Sequence, residues 1–390
     1  MKTLSIQKTI LSLALAITLF GAAIAAARQA PASASQKTGR EHSVTRHNEE
    51  WTWRQTDNGV GIEMKMRGKV QFNDDYTDIL TLSDDGWFRI IDDRKGPERR
   101  LEITRNAGGE ITRSYRVSGE ARPYDQEASR WLASVLNDAV RQAGFDAKNR
   151  VQKILAKSGA GGVLEEISLL KSDHVKGVYF RELLKSTALD PASVRRSLRE
   201  VASQMSSDYE KAQVLMVLAE SYLNDDSTRT AYLNAVGTIG SDYERGRVLS
   251  ALLKKSDLND DILTHAIRTA ASISSDYEKA KLLINVAGGK MRNPAVRRVY
   301  LETAGTIGSN YEKARVLSEL VKRNDLDRDA ILLVVKSAVG ISSDYEKARV
   351  LIQVARAHAG DESIRAALTD AAKTIGSEYE RGRVLSVTHR

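Results

Sequence analysis

SSDYEKARVL, residues 342–351, is the stretch on which the reading of this chain turns. It returns with small changes as SSDYEKAQVL (206–215), GSDYERGRVL (240–249), SSDYEKAKLL (274–283), GSNYEKARVL (308–317) and GSEYERGRVL (376–385). The tyrosines Tyr209, Tyr243, Tyr277, Tyr311, Tyr345 and Tyr379 therefore stand 34 residues apart without slippage. A fixed period of this length marks a stacked repeat array, whose units bury their cores against one another.

Each phrase opens a helix. Ser207, Ser241, Ser275, Ser309, Ser343 and Ser377 are each followed three residues later by Glu, the signature of a capping box. The residue after the Ser is usually acidic (Asp208, Asp242, Asp276, Asp344, Glu378), which suits the positive end of a helix dipole. From that start, Tyr311, Ala314, Leu317, Leu320 and Val321 fall at helical spacing and are expected to form the core stripe. Three after each Tyr stands Ala or Gly, so a neighbouring helix can approach closely. A polar break and a second helix follow, the latter with a recurring Ile in its last turn: Ile239, Ile273, Ile307, Ile341 and Ile375. The unit is thus an αα-hairpin, and the fold expected over 124–390 is a mainly α solenoid similar in architecture to tetratricopeptide and HEAT arrays. Alternate units share more with each other (LSALLKKSDL, LSELVKRNDL) than with their neighbours, so a doubled unit was copied.

Upstream the pattern fades. Residues 124–145 read as a capping helix and 146–206 as divergent repeats, with His174 in the Tyr position; 207–378 are the regular repeats, and 379–390 begin another. Residues 49–123 change character: WTWRQT, GIEMKMRGKVQF, YTDILTLS, GWFRIIDD, RRLEITRN and EITRSYRV are short, alternating and β-rich, predicting a small antiparallel domain of five or six strands. Trp51, Trp53, Trp87 and Phe88 are expected in its core, with an exposed aromatic patch as the other reading. Residues 28–48 read as a flexible spacer. In 1–27, Lys2 and Lys8 precede an apolar run from Ile10 to Ala27 with small residues behind it, an export signal or, uncleaved, a membrane anchor. A periplasmic location is expected, the membrane being touched only through this segment.

The chain has 390 residues, no Cys, and 59 Lys and Arg against 51 Asp and Glu. That excess is thin and spread along the chain, not the concentrated basic footprint of a nucleic-acid binder. No HExxH, GxSxG or phosphate loop occurs, and the His residues are scattered; neither metal nor cofactor is expected. A hydrolase built on Glu102, Glu110 or Glu120 has no spacing to single it out. One constellation stands out. Two and four residues after the tyrosines come Lys211, Arg245, Arg247, Lys279, Lys281, Lys313, Arg315, Lys347, Arg349, Arg381 and Arg383. Stacking aligns them into a cation ladder, a candidate site for an acidic peptide or envelope polymer. The structural reading instead pairs each cation with the acid at the next unit's helix start, and the balanced charges favour it.

The phrases SSDYEKARVL and GSDYERGRVL, with GWFRIIDDRKGPERRLEIT and YRVSGEARPYDQEASRWLASVL before them, resemble the extracytoplasmic region of some bacterial BlaR-type antirepressor metallopeptidases and related envelope sensors. The resemblance spans 49–390 and lacks the family's zinc peptidase part, so no catalytic residue carries over. It implies a stand-alone sensing or scaffolding module that binds a protein or an envelope ligand. The alternative expectation is a self-assembling structural protein, with Val384, Leu385 and Val387 left partly uncovered for a second copy.

Overall fold

A computed structural model describes residues 40–47 and 50–389, apart from 256, 289, 290, 292, 324 and 359. The segment read as an export signal and the first part of the spacer lie outside the described residues. The described residues are mainly helical, an array of fifteen helices preceded in sequence by an antiparallel β-domain. It divides into two compact units. One runs to Gln71 and resumes over Thr81–Tyr124; the other comprises Phe72–Leu80 and Asp125–Arg390.

The first unit is a meander. Strands β1 (Arg40–His47), β2 (Glu50–Asp57), β3 (Val60–Arg67), β6 (Trp87–Asp92), β7 (Arg99–Arg105), β8 (Ile111–Val117) and β9 (Glu120–Arg122) form one antiparallel sheet in that order. A ribbon of β4 (Val70–Phe72) and β5 (Ile79–Leu82) is inserted between β3 and β6. Three strands exceed the sequence reading: β1, β4 and the short β9. β1 pairs with β2 from Arg40↔Asp57 to His47↔Glu50, so residues 40–47 are strand and not flexible spacer. The physical reason is the β-branched Val44-Thr45 run, free of Gly and Pro, beside a strand with its edge open. The stretch GIEMKMRGKVQF splits into β3 and β4 at Gly68, whose φ is +72°; a Cβ there would lie 2.2 Å from Ser83 Oγ.

Alternation sorts the sheet's two faces. Trp53, Met64, Ile90 and Leu101 are register partners in a row across β2, β3, β6 and β7, and all are fully buried. Phe88 is buried with them, while Trp51 and Trp87 are half-buried. The opposite face carries ion pairs within and across strands. Arg54 and Lys65 hold Glu63; Arg89 and Arg100 hold Glu102. Arg89 also lies 5.4 Å from the Trp87 ring centroid. An aromatic patch open to solvent is thereby replaced by one core face and one cation-covered tryptophan.

The second unit opens with α1 (Gln126–Ala143), capped by Asp125, and α2 (Ala147–Ser168), which breaks at Gly159 (φ +64°) as two divergent half-helices. Then come α3 (Asp173–Ser186) and α4 (Pro191–Gln204). The segment Phe72–Leu80 belongs here: Tyr76 donates to Asp146 at 2.9 Å and lies 4.8 Å under the Arg150 guanidinium. Burial and the neighbouring Asp146 carboxylate push the Tyr76 phenol well above its ordinary range. Beside it, Arg141 and Arg150 converge on Glu166 at 2.8 and 2.9 Å.

The regular array has two layers. Layer A contains α5 (Asp208–Ser221), α7 (Asp242–Leu253), α9 (Asp276–Ala287), α11 (Asn310–Val321), α13 (Asp344–His358) and α15 (Glu378–Thr388). Layer B contains α6 (Asp226–Gly237), α8 (Asp260–Ala271), α10 (Pro294–Gly305), α12 (Arg328–Val339) and α14 (Glu362–Ala372). Each helix packs on the next of its own layer and on its hairpin partner. The core between the layers takes Ala314, Leu317, Leu320 and Val321, and the equivalent residues of other units. All five recurring Ile residues are buried, just past the end of each B helix instead of in its last turn. The doubled period shows inside the core. α6 and α10 bury Tyr232 and Tyr300, whose hydroxyls donate to the Val248 and Val316 carbonyls; α8 and α12 place Ala266 and Val334 there. In α15, Val384 is fully buried, whereas Leu385 and Val387 pack on the core and stay partly exposed, so two of the three residues expected to be partly uncovered are so.

Candidate functional site

The phrase that repeats performs three structural tasks, and each uses different residues. The cap comes first. Every Ser Oγ accepts from the backbone N–H of the Glu three residues on, at 3.3–3.4 Å. The other half of a capping box is absent: the Glu side chain does not return to the Ser N–H. That N–H is taken by the acid of the preceding unit. Asp173, Asp208, Asp242, Asp276 and Asp344 accept from Ser207, Ser241, Ser275, Ser309 and Ser377 at 2.6–2.8 Å. Most also accept from the residue before the Ser, as Asp276 does from Gly308 at 3.0 Å. The acid after the cap is thus a stitch between units, a role hidden in the sequence behind its suitability for the helix dipole. Where the slot holds Asn310, one bond to Ser342 at 2.9 Å remains.

The second task belongs to the inner half of the cation ladder. Lys211, Arg245, Lys279 and Lys347 are buried, and Lys313 and Arg381 half-buried, so this row is not offered to a ligand. Four of its members close the C-terminus of their own unit's second helix, while Arg381 donates to Ile375 O at the end of the preceding unit's second helix, at 3.2 Å. Lys211 donates to Thr238 O at 3.0 Å, Arg245 to Ser272 O at 2.9 Å, Lys279 to Thr306 Oγ1 at 3.0 Å and Lys347 to Thr374 O at 3.0 Å. The hairpin sets the start of helix A beside the end of helix B, where a cation meets unpaired carbonyls and the negative end of the dipole. Lys176 in α3 does the same to Gln204 O at 2.6 Å and extends the row into the divergent unit, where Val175 replaces the usual Glu and masks the pattern.

The outer half of the ladder behaves differently. Arg247, Lys281, Arg315, Arg349 and Arg383 pair with the Glu three residues before them, in their own helix, at 2.7–3.4 Å. The pairing expected with the next unit's helix start is therefore overturned for both rows. One row answers backbone carbonyls; the other answers its own turn. The Glu side chains reach across to the preceding unit: Glu278 Oε2 lies 3.1 Å from where a Cβ on Gly246 would stand, which explains the small residue at that position.

The tyrosines lie outside. Tyr209, Tyr243, Tyr277, Tyr311 and Tyr345 are 53–57 % exposed and Tyr379 74 %. They are not in the core stripe. At about 100° per residue the buried arc centres on Leu317 and spreads toward Lys313 and Val316. Tyr311 falls beyond its other edge, on the face of Arg315, Ser318 and Lys322. The cations of the outer row lean over the rings: Arg247 on Tyr243 and Arg315 on Tyr311 at 5.7 Å, Arg383 on Tyr379 at 5.8 Å. Arg349 of the following unit also lies 5.7 Å from the Tyr311 centroid, so ring and cation alternate across the unit boundary.

Elsewhere, Glu102 and His174 are engaged by neighbours. Arg100 and Arg89 hold the Glu102 carboxyl below its usual range. His174 Nδ1 lies 2.7 Å from Glu210, which Arg181 also binds. Among the described residues no group of His, Asp and Glu is arranged to hold a metal ion, and no helix is long and apolar enough to cross a membrane. Comparison with family models, with curated proteins and with solved structures finds no match to this chain.

Proposed function

We propose that this chain is an exported, non-catalytic interaction scaffold of the cell envelope, whose helical array holds a protein or an acidic envelope ligand for sensing or assembly. The observation that carries the reading is the division of labour within the repeat. Acid, inner cation, small residue and Ile each hold the array together, yet the Tyr that recurs with them packs into no core. A large aromatic kept half-exposed six times over, with Arg four residues after four of the six, has the composition of a binding surface. The apolar run behind Lys2 and Lys8 supports export to the periplasm. Glu102, one of the acids considered for a hydrolase, is committed to two arginines and suits an ion pair better than proton transfer.

The test is capture of the full chain from envelope extracts after mild cross-linking, read by mass spectrometry. A reproducible partner, lost on competition with unlabelled protein, is the expected result. Recovery of the chain alone, or cross-linked only to itself, overturns the scaffold reading.

A further inference from the structure

We infer, resting on the scaffold reading above, that the tyrosine face takes an extended polypeptide in polyproline II conformation that carries a carboxylate at every third residue. Three observations lead there. The outermost charges on this face are positive. The outer-row cations keep 31–52 % of their side-chain surface open, whereas the Glu residues paired with them keep only 11–12 %. A guanidinium has five donors, and one carboxylate beneath it leaves others free to point outward. At Tyr311 the strip also runs across a unit boundary: Arg315 and Arg349 flank the same ring, so these two units share a binding element.

The third observation is spacing. Packed helices lie about 8–10 Å apart, which sets the interval between equivalent side chains. Three residues of extended chain span about 10 Å. A β-strand would turn every third side chain to alternate faces. Polyproline II has about three residues per turn at about 3.1 Å each, so it returns every third side chain to the same side, one per unit. Its flat apolar flanks suit exposed tyrosine rings. A polynucleotide fits less well: it brings more than one phosphate to each unit against a single outer cation.

The test uses the full chain and a fluorescent peptide of repeated Pro-Pro-Glu triplets, long enough to cross all the tyrosines, in an anisotropy titration. Binding is expected to weaken steeply with salt and to be at least about tenfold weaker for the Pro-Pro-Gln peptide. The triple variant Tyr243→Ala, Tyr277→Ala, Tyr311→Ala is expected to lose about tenfold or more. Arg247→Gln with Arg315→Gln and Arg349→Gln is expected to lose a similar amount while melting as the parent does. Absence of binding, equal binding of the Gln peptide, or unchanged affinity in both variants overturns the inference. So does tighter binding of oligothymidylate or of an acidic oligosaccharide. If the tyrosine variant still captures the parent's partner, the face is wrong and the scaffold reading survives.

Discussion

At the scale of single residues, the array is held by side chains that close backbone groups, and their worth can be measured one at a time. Asn310 is the one stitch that lacks a carboxylate among the regular units. Asn310→Asp is expected to raise stability by about 0.5–1 kcal/mol, by making the stitch charge-assisted and by placing an anion at a helix start. Urea denaturation of the full chain measures it, and an unchanged midpoint would count against the stitch. Glu166 tests a buried network. Its burial acts to raise the carboxyl pKa, but Arg141 and Arg150 outweigh it, and the net direction is down. Its stabilisation is therefore complete above the ordinary carboxylate range, near about pH 4.3, and drains as pH falls through the lowered folded value. Glu166→Gln is expected to cost about 3 kcal/mol at neutral pH by stranding two arginines. Its stability should then fall less steeply than the parent's below about pH 5, as melts across a pH series would show.

At the scale of the element, what was legible in the sequence was local. Ser caps, the acid-rich first turn and the polar breaks mark helix starts through contacts within three residues, so the A and B helices could be read directly. The alternating strands were legible for the same reason. The orientation of Tyr311 was not, because it lies about 60° from Ala314, at the rim of an arc whose centre depends on the neighbouring helices. The stitch was not either, since its two ends are 33 residues apart and the acid has a sufficient local reason to be there. Strand β1 escaped because a polar run without Gly or Pro looks like a spacer until a partner edge is known. The small-residue position makes a prediction of its own. Gly382 in α15 has open space where a Cβ would stand, and four equivalent positions hold Ala. Gly382→Ala is expected to add about 0.5–1 kcal/mol by helix propensity alone. A loss of stability there, by thermal melting, would mean that a close approach had been overlooked.

At the scale of the whole array, the core is one column with a waist. Buried residues from Ala147 to Leu282 form one cluster and those from Leu263 to Val384 another. They interleave on α8, which turns Ile262, Ala266 and Ala270 toward one and Leu263 and Ile267 toward the other. In such a chain the interfaces between neighbours set the cooperativity. Leu283→Ala, at a fully buried site by the waist, is expected to cost about 3 kcal/mol. It should also split a single denaturation transition into two, with hydrogen exchange rising first in α8 and α9. One unsplit transition would show that coupling across the waist survives a weakened contact.

The stitch carries a consequence for how such a gene changes. In the regular units the acid binds amides 32–33 positions ahead, and every unit but that of Asn310 offers a carboxylate to the amides of the next. An unequal crossover that inserts or removes a whole 34-residue period rejoins equivalent bonds and strands none of them. As far as the stitch is concerned, array length is then open to change by whole periods, each adding one tyrosine to the row, while the alternating core of Tyr232 and Tyr300 favours steps of two units.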